Sequence, residues 1–140
     1  MIIRRASAAD AAALADCIAA AYAPYAHLDL PPVAEGTAED IAAHHVWVAD
    51  DADHIVGGVV LMLTGEVAHL VNLAVHPVAG GQGIGAALVA TACDAARAAG
   101  HDSIALATHS QMTGTQEFYR KLGWTSTGQE GAKAYFVKKI

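Results

Sequence analysis

The chain has 140 residues, enough to enclose one substantial core, and it is 54% hydrophobic with a mean hydropathy of +0.34. Its formal net charge is −6, with 8 Lys and Arg and no basic cluster, which argues against nucleic acid as the main partner. The apolar excess is mostly alanine, and the longest strongly apolar run, residues 55–63, is too short to span a bilayer, so a soluble cytoplasmic protein is expected.

Residues 2–5 begin as a short strand. Ser7 followed three positions later by Asp10 reads as a helix N-cap, so a helix is expected from about Ala8, with Leu14, Ile18 and Tyr22 on its apolar face and Pro24 ending it. Residues 24–36 hold three prolines and form a loop or broken helix. A short helix is predicted over 37–45, then strands over 46–49 and 55–63 joined by a polar turn. Gly57 and Gly58 inside the second strand signal a bulge or a close backbone approach. A third strand over 66–75 completes an antiparallel meander.

Residues 69–85, HLVNLAVHPVAGGQGIG, carry the densest signal. A strand turns at His76-Pro77 into four glycines within six residues, and helical spacing begins near Ile84 and stops at Gly100. Unpaired N–H groups at a helix start, reached through a glycine loop, make an anion cradle. The strand over 103–108 follows a helix and should lie parallel to the strand before it, as a right-handed βαβ unit. A helix over 112–122 and two closing strands over 124–129 and 134–139 finish the chain.

A dinucleotide is one candidate for the cradle, since Gly81, Gly83 and Ala86 fit the loose G-x-G-x-x-G/A spacing. Three features oppose it. The glycines begin well after the strand, the strand over 103–108 ends in Ala-Thr where an acidic residue should meet a ribose, and the meander has no place in a doubly wound sheet. A nucleoside-triphosphate loop fails for lack of Gly-Lys-Ser/Thr.

LAVHP at 73–77, GQGIGAAL at 81–88 and FYRKLGW at 118–124 together resemble the GNAT superfamily of acetyl-CoA-dependent N-acetyltransferases, and the resemblance covers essentially the whole chain. It implies an α/β (α+β) GNAT fold over 1–140 as a single domain: a mixed, mostly antiparallel sheet with a splayed parallel strand pair, flanked by helices. In such proteins the strand matching Leu73, Ala74 and Val75 parts from the parallel strand, and the pantetheine arm bonds to its freed backbone. The loop of Gly80, Gly81, Gln82, Gly83, Ile84, Gly85 and Ala86 would seat the pyrophosphate on N–H groups. Gly80 stands where the family pattern Gln/Arg-x-x-Gly-x-Gly/Ala has a long polar side chain, which leaves recognition to the backbone. Met112 and Thr115 replace the Asn and Ala that many relatives carry ahead of the aromatic pair.

The resemblance implies acetyl-CoA as co-substrate, no metal, and a small-molecule or peptide amine as acceptor; a homodimer is left open. Direct acetyl transfer in a ternary complex needs a neutral amine, a polarised thioester carbonyl and a proton for the departing thiolate. An amine of pKa near ~10.4 must lose a proton to a base or a water relay. Tyr119 matches the family's general acid; its alternative reading is a core aromatic beside Phe118 and Trp124. His69 is the candidate base, with Glu66 or water as alternatives, and simple alternation puts it on one face with Val71 and Leu73 unless a bulge near Asn72 intervenes. Asn72 and His109 are secondary cleft candidates, and His76 belongs to its turn. Tyr22, Tyr25, Asp29, Glu35 and Asp40 fall in the segment that covers the acceptor in similar proteins. His44, His45 and His54 lack metal-ligand spacing, and Cys17 and Cys93 read as small buried apolar residues. A non-catalytic acyl-CoA-binding domain of the same fold is the rival reading, and a dehydrogenase the remote third.

Overall fold

The computed structural model describes residues 1–140. In chain order the elements are β1 (Ile2–Arg5), α1 (Ala11–Tyr22), α2 (Thr37–Ala43), β2 (His45–Asp50), β3 (Ile55–Met62), β4 (Ala68–Val75), α3 (Ile84–Ala98), β5 (Ser103–His109), α4 (Thr113–Lys121), β6 (Thr125–Glu130) and β7 (Lys133–Lys139). All seven strands join one sheet in the order β1-β2-β3-β4-β5-β7-β6. Every neighbouring pair is antiparallel except β4 with β5, the pair that the α3 crossover joins. The mixed, mostly antiparallel sheet with helices on its faces is the fold class expected from the sequence.

The start of α1 shows how local sequence sets position. Ser7 N–H donates to Asp10 Oδ2 at 2.8 Å, and Arg4 donates to both Asp10 oxygens at 2.8 and 2.9 Å. The chain passes through a 3-10 turn, Ala8–Asp10, so the α-helix begins at Ala11. At its other end, Pro24 lies within a second 3-10 turn, Ala23–Tyr25, which tightens the helix end before the chain leaves it.

Helix α1 buries Leu14 and Ile18 against Val46, Val48, Val60 and Ala74 on one side of the sheet. Helix α3 buries Leu88, Val89, Ala92 and Ala96 on the other side, against Val59, Leu61, Ile104 and Phe136. Burying each such side chain contributes roughly 1.5–3 kcal/mol. The glycine pair in β3 lets both helices sit close. A Cβ on Gly58 would collide with Leu14 Cδ1, and one on Gly57 would lie 3.1 Å from both Ile84 Cγ2 and Leu88 Cδ1. A bulge also falls immediately before the pair, at Val56, which is skipped between the pairs Asp50↔Ile55 and Ala49↔Gly57.

A second bulge, in β4, matters more for the site. Asn72 pairs with Val60 and Leu70 with Leu61, so Val71 is left without a partner. Before it, Ala68 and Leu70 pack toward α3; after it, Ala74 packs toward α1. The bulge therefore corrects simple alternation. His69 shares the α1 face with Asn72 and Ala74, while Leu73 turns to the α3 side. No helix is long and apolar enough to cross a membrane.

Candidate active site

Strands β4 and β5 pair at only two positions, Ala68↔Ile104 and His69↔Ala105, and then part. Strand β5 keeps its other edge fully paired with β7 from Ser103 to His109, so the fork opens by divergence of β4, with its bulge at Val71. A cleft of about 480 Å³ fills the fork, within the ~300–1,000 Å³ of small-molecule sites. Its walls are the β4 run from Leu70 to Val75 and the β5 residues Leu106, Ala107 and Thr108. The parted strands leave Leu73, Ala74 and Val75 without a strand partner on the β5 side.

The glycine loop closes one end. Gly81 and Gly83 have φ of 77° and 76°, the left-handed region where a side chain is strained. Gly83 caps α3, whose first intrahelical bond runs from Ala87 N–H to the Gly83 carbonyl at 3.1 Å. The N–H groups of Ile84, Gly85 and Ala86 thus have no helical acceptor, and the helix dipole adds partial positive charge at the same place. Gly80, Gly81, Gly83, Ile84, Gly85 and Ala86 all line the cleft, whereas Gln82 does not. His76 stays within its turn, its Nδ1 accepting from Val78 N–H at 3.2 Å.

The third wall comes from α4. Thr115, Phe118 and Tyr119 recur at helical spacing and line the cleft together with Met112 and Gly114. Buried Gln116 sets where this helix starts, donating from Nε2 to the carbonyls of His109 and Ser110 at 3.2 and 2.9 Å. Tyr119 is 4% exposed, and its ring lies 5.2 Å from Phe118, 5.5 Å from Trp124 and 6.5 Å from Phe136. The ring of this tyrosine therefore belongs to the core, and the residue also lines the cleft. Burial, with Tyr22 as a lesser influence, pushes the phenol well above its ordinary pKa, so it carries its proton at every working pH.

Opposite α4, Tyr22 and Tyr25 line the cleft from the end of α1. Tyr22 donates from its hydroxyl to Asn72 Oδ1 at 3.2 Å, with the Leu73 carbonyl at 3.5 Å, and Asn72 Nδ2 donates to the Val33 carbonyl at 3.3 Å. These bonds tie the β4 bulge to α1 and to the proline-rich segment. A second cavity of about 340 Å³ adjoins the cleft, sharing Tyr22 and Tyr25 and reaching Leu30, Val33 and Glu35. Asp29 and Asp40 line neither cavity.

His69 sits at the last paired position of the fork, outside the cleft lining, with its Nδ1 buried and without a partner. His109 is also outside it, its Nδ1 accepting from Gln111 N–H at 3.0 Å to close the turn into α4. Thr108 and Gly114 were not singled out by motif; the i, i+3, i+4 spacing of Thr115, Phe118 and Tyr119 is the signal that finds the α4 face. Both cysteines are buried and free, and burial pushes the Cys17 thiol up to about 11, as small apolar core residues behave. No group of three or more His, Cys, Asp or Glu side chains is placed to hold a metal ion.

Known structures share this architecture. PaiA N-acetyltransferase from Thermoplasma acidophilum, solved in complex with coenzyme A, superposes with a TM-score of 0.87 at 20% identity, covering 99% of this chain and 98% of that one. An acetyltransferase from Streptococcus agalactiae gives a TM-score of 0.84 at 19% identity, with 99% and 98% covered. The yncA protein of Salmonella typhimurium, solved with its cofactor acetyl-CoA, gives 0.78 at 20% identity, with 99% and 93% covered. At such identities the likeness is one of fold. Comparison with curated proteins returns no match. The model of the Acetyltransferase (GNAT) family matches residues 14–124, most of the chain. A match of that extent decides membership: the chain belongs to the Acetyltransferase (GNAT) family.

Proposed function

We propose that residues 1–140 form one N-acetyltransferase domain that moves an acetyl group from acetyl-CoA directly to a primary amine. The observation that carries this reading is the fork: β4 and β5 pair at two positions, then open a cleft that runs to the free N–H groups of α3. The donor's pantetheine arm would lie between the strands, bonded to backbone of Leu73, Ala74 and Val75. Its pyrophosphate would rest on the N–H groups of Gly81 to Ala86, where the helix dipole favours negative charge.

In this reading a β4 N–H near Leu73 to Val75 polarises the thioester carbonyl. The amine adds to that carbonyl, the C–S bond breaks, and Tyr119 gives its proton to the departing sulfur. Burial keeps the phenol protonated until the sulfur departs, and the tyrosinate left behind is reprotonated by the proton that the amine gives up. His69, outside the lining, would take the amine proton through a bridging water from the α1 face. The amine would approach past Tyr22 and Tyr25, whose rings border both cavities.

An assay of thiol release from acetyl-CoA across a panel of amines, including small polyamines, amino acids, aminoglycosides and peptide N-termini, tests the proposal. Amine-dependent release with an acetylated product is the expected outcome. Tight binding of acetyl-CoA with no turnover on any amine would instead favour a binding or sensing role for the same cleft.

A further inference from the structure

The cleft is lined by 24 residues, none of them charged. Its polar side chains are the hydroxyls of Tyr22, Tyr25, Thr108, Thr115 and Tyr119 and the amide of Asn72. No lysine or arginine occurs between Arg5 and Arg97, so the glycine loop has no basic neighbour in sequence. Several cations are already engaged elsewhere. Arg4 pairs with Asp10 and Asp50, Arg97 with Asp94 at the far end of α3, and Lys138 donates to the Leu122 carbonyl. The turn that leads into the loop is flanked by acids, since His76 and Val78 share a surface hollow with Asp16, Asp50, Asp51 and Asp53.

The glycine at position 80 is not demanded by its backbone. Gly80 has φ −63° and ψ 151°, an ordinary extended conformation, and an added Cβ would meet only the Pro77 carbonyl, at 3.4 Å. Gly81 and Gly83, with φ of 77° and 76°, are different in kind. A side chain at position 80 would fit beside the cradle, and none is there.

The geometry points to a donor site that holds the pyrophosphate by backbone dipoles alone and reserves no cation for the nucleotide's 3′-phosphate, so that 3′-dephospho-coenzyme A esters serve as well as coenzyme A esters. This rests on the cleft being the donor site proposed above. The 3′-phosphate adds about two negative charges, facing a protein of net charge −6 and a cleft without a charged residue in its lining. Arg120 and Lys121 of α4 lie outside that lining, with Arg120 held near Glu117 and over the Phe136 ring. Long-range repulsion then opposes the fully phosphorylated donor, and salt, by screening it, favours binding. A site with a dedicated phosphate cation has the opposite salt dependence and holds its phosphate by ~10-fold or more.

Titration calorimetry of the intact protein with coenzyme A and with 3′-dephospho-coenzyme A, at about 20 and about 200 mM KCl, separates these cases. The expected result is that the dephospho ligand binds as tightly as coenzyme A or up to about threefold tighter at low salt, with coenzyme A affinity flat or rising as salt is added. Gly80→Arg should tighten coenzyme A about tenfold at low salt and make its affinity fall with salt. A preference of the unsubstituted protein for coenzyme A by more than about threefold, or an affinity that drops with salt, overturns the inference while leaving the donor reading in place. Absence of binding by either ligand removes the donor reading and the inference with it.

Discussion

The two sides of the fork are built by different means. On the side proposed for the donor, the determinants are backbone: parted strands, a bulge at Val71, left-handed Gly81 and Gly83, and the bare N–H groups of α3. On the side proposed for the acceptor, they are side chains: Tyr22 and Tyr25 from α1 and its terminal turn, Asn72 from the bulge, and Glu35 from the proline-rich segment. Backbone geometry suits a ligand that is always the same, because it depends on few residue types. Side chains on an irregular segment can change without disturbing the sheet, which suits a guest that differs between relatives.

The largest test falls on the chemistry between the two sides. Tyr119→Phe keeps the ring among Phe118, Trp124 and Phe136 and removes only the hydroxyl. With Tyr119 as the proton donor, kcat should fall by ~100-fold or more while donor affinity and thermal stability stay close to their original values. Unchanged kcat across the pH range would remove the tyrosine from the mechanism.

Gly83→Val tests the backbone character of the donor side. A β-branched residue at φ 76° is strained, and relief of that strain would rotate the N–H groups at the helix start. Strain of this kind is worth ~1–3 kcal/mol, so donor Kd should rise by roughly 5- to 150-fold with acceptor KM little changed. An equal loss in both parameters would mean that the two sides are not independent.

That division also marks what could be read from the sequence. The glycine loop, the antiparallel meander, the parallel pair and the Phe118-Tyr119 helix were all legible, because left-handed turns and buried periodic faces need particular residue types. The reason for Gly58 was not, since it lies in Leu14, 44 positions earlier, whose Cδ1 occupies the space a Cβ would need. The face of His69 was open for a similar reason: a one-residue bulge reverses every later side chain, and nothing in HLVNLAV says whether it falls at Val71 or Asn72. The Tyr22 to Asn72 hydrogen bond, across 50 positions, could only be seen once α1 was laid on the sheet.

Tyr22→Phe sharpens the acceptor side. It leaves the edge packing against Tyr25, at 6.4 Å between centroids, and removes the hydroxyl that Asn72 Oδ1 accepts. Net loss of one such bond is worth ~0.5–1.5 kcal/mol, so acceptor KM should shift by roughly 2- to 10-fold. Donor Kd, measured by calorimetry on the same variant, should stay within about twofold. A donor effect as large as the acceptor effect would place the hydroxyl on the donor's side of the fork, through its approach to the Leu73 carbonyl at 3.5 Å.

The smallest effect comes from the other end of the helix that carries Tyr22. Asp10 accepts from Arg4 and from Ser7 N–H, and these bonds, the arginine's first, hold its carboxyl well below the usual range. A carboxyl whose folded pKa is depressed adds stability that is complete above its unfolded value, near ~3.9, and is lost as pH falls toward the folded value. Asp10→Asn should therefore lower Tm at neutral pH by about 5 °C, and the gap between variant and parent should close in acid below about pH 4. Calorimetric melts over a pH series give both numbers. Because this anchor holds α1 and not α3, acceptor KM should respond to the variant more than donor Kd does. A gap that persists unchanged into acid would mean that the Asn side chain fails by shape, and that the charge of Asp10 is not what fastens the acceptor-side helix to the sheet.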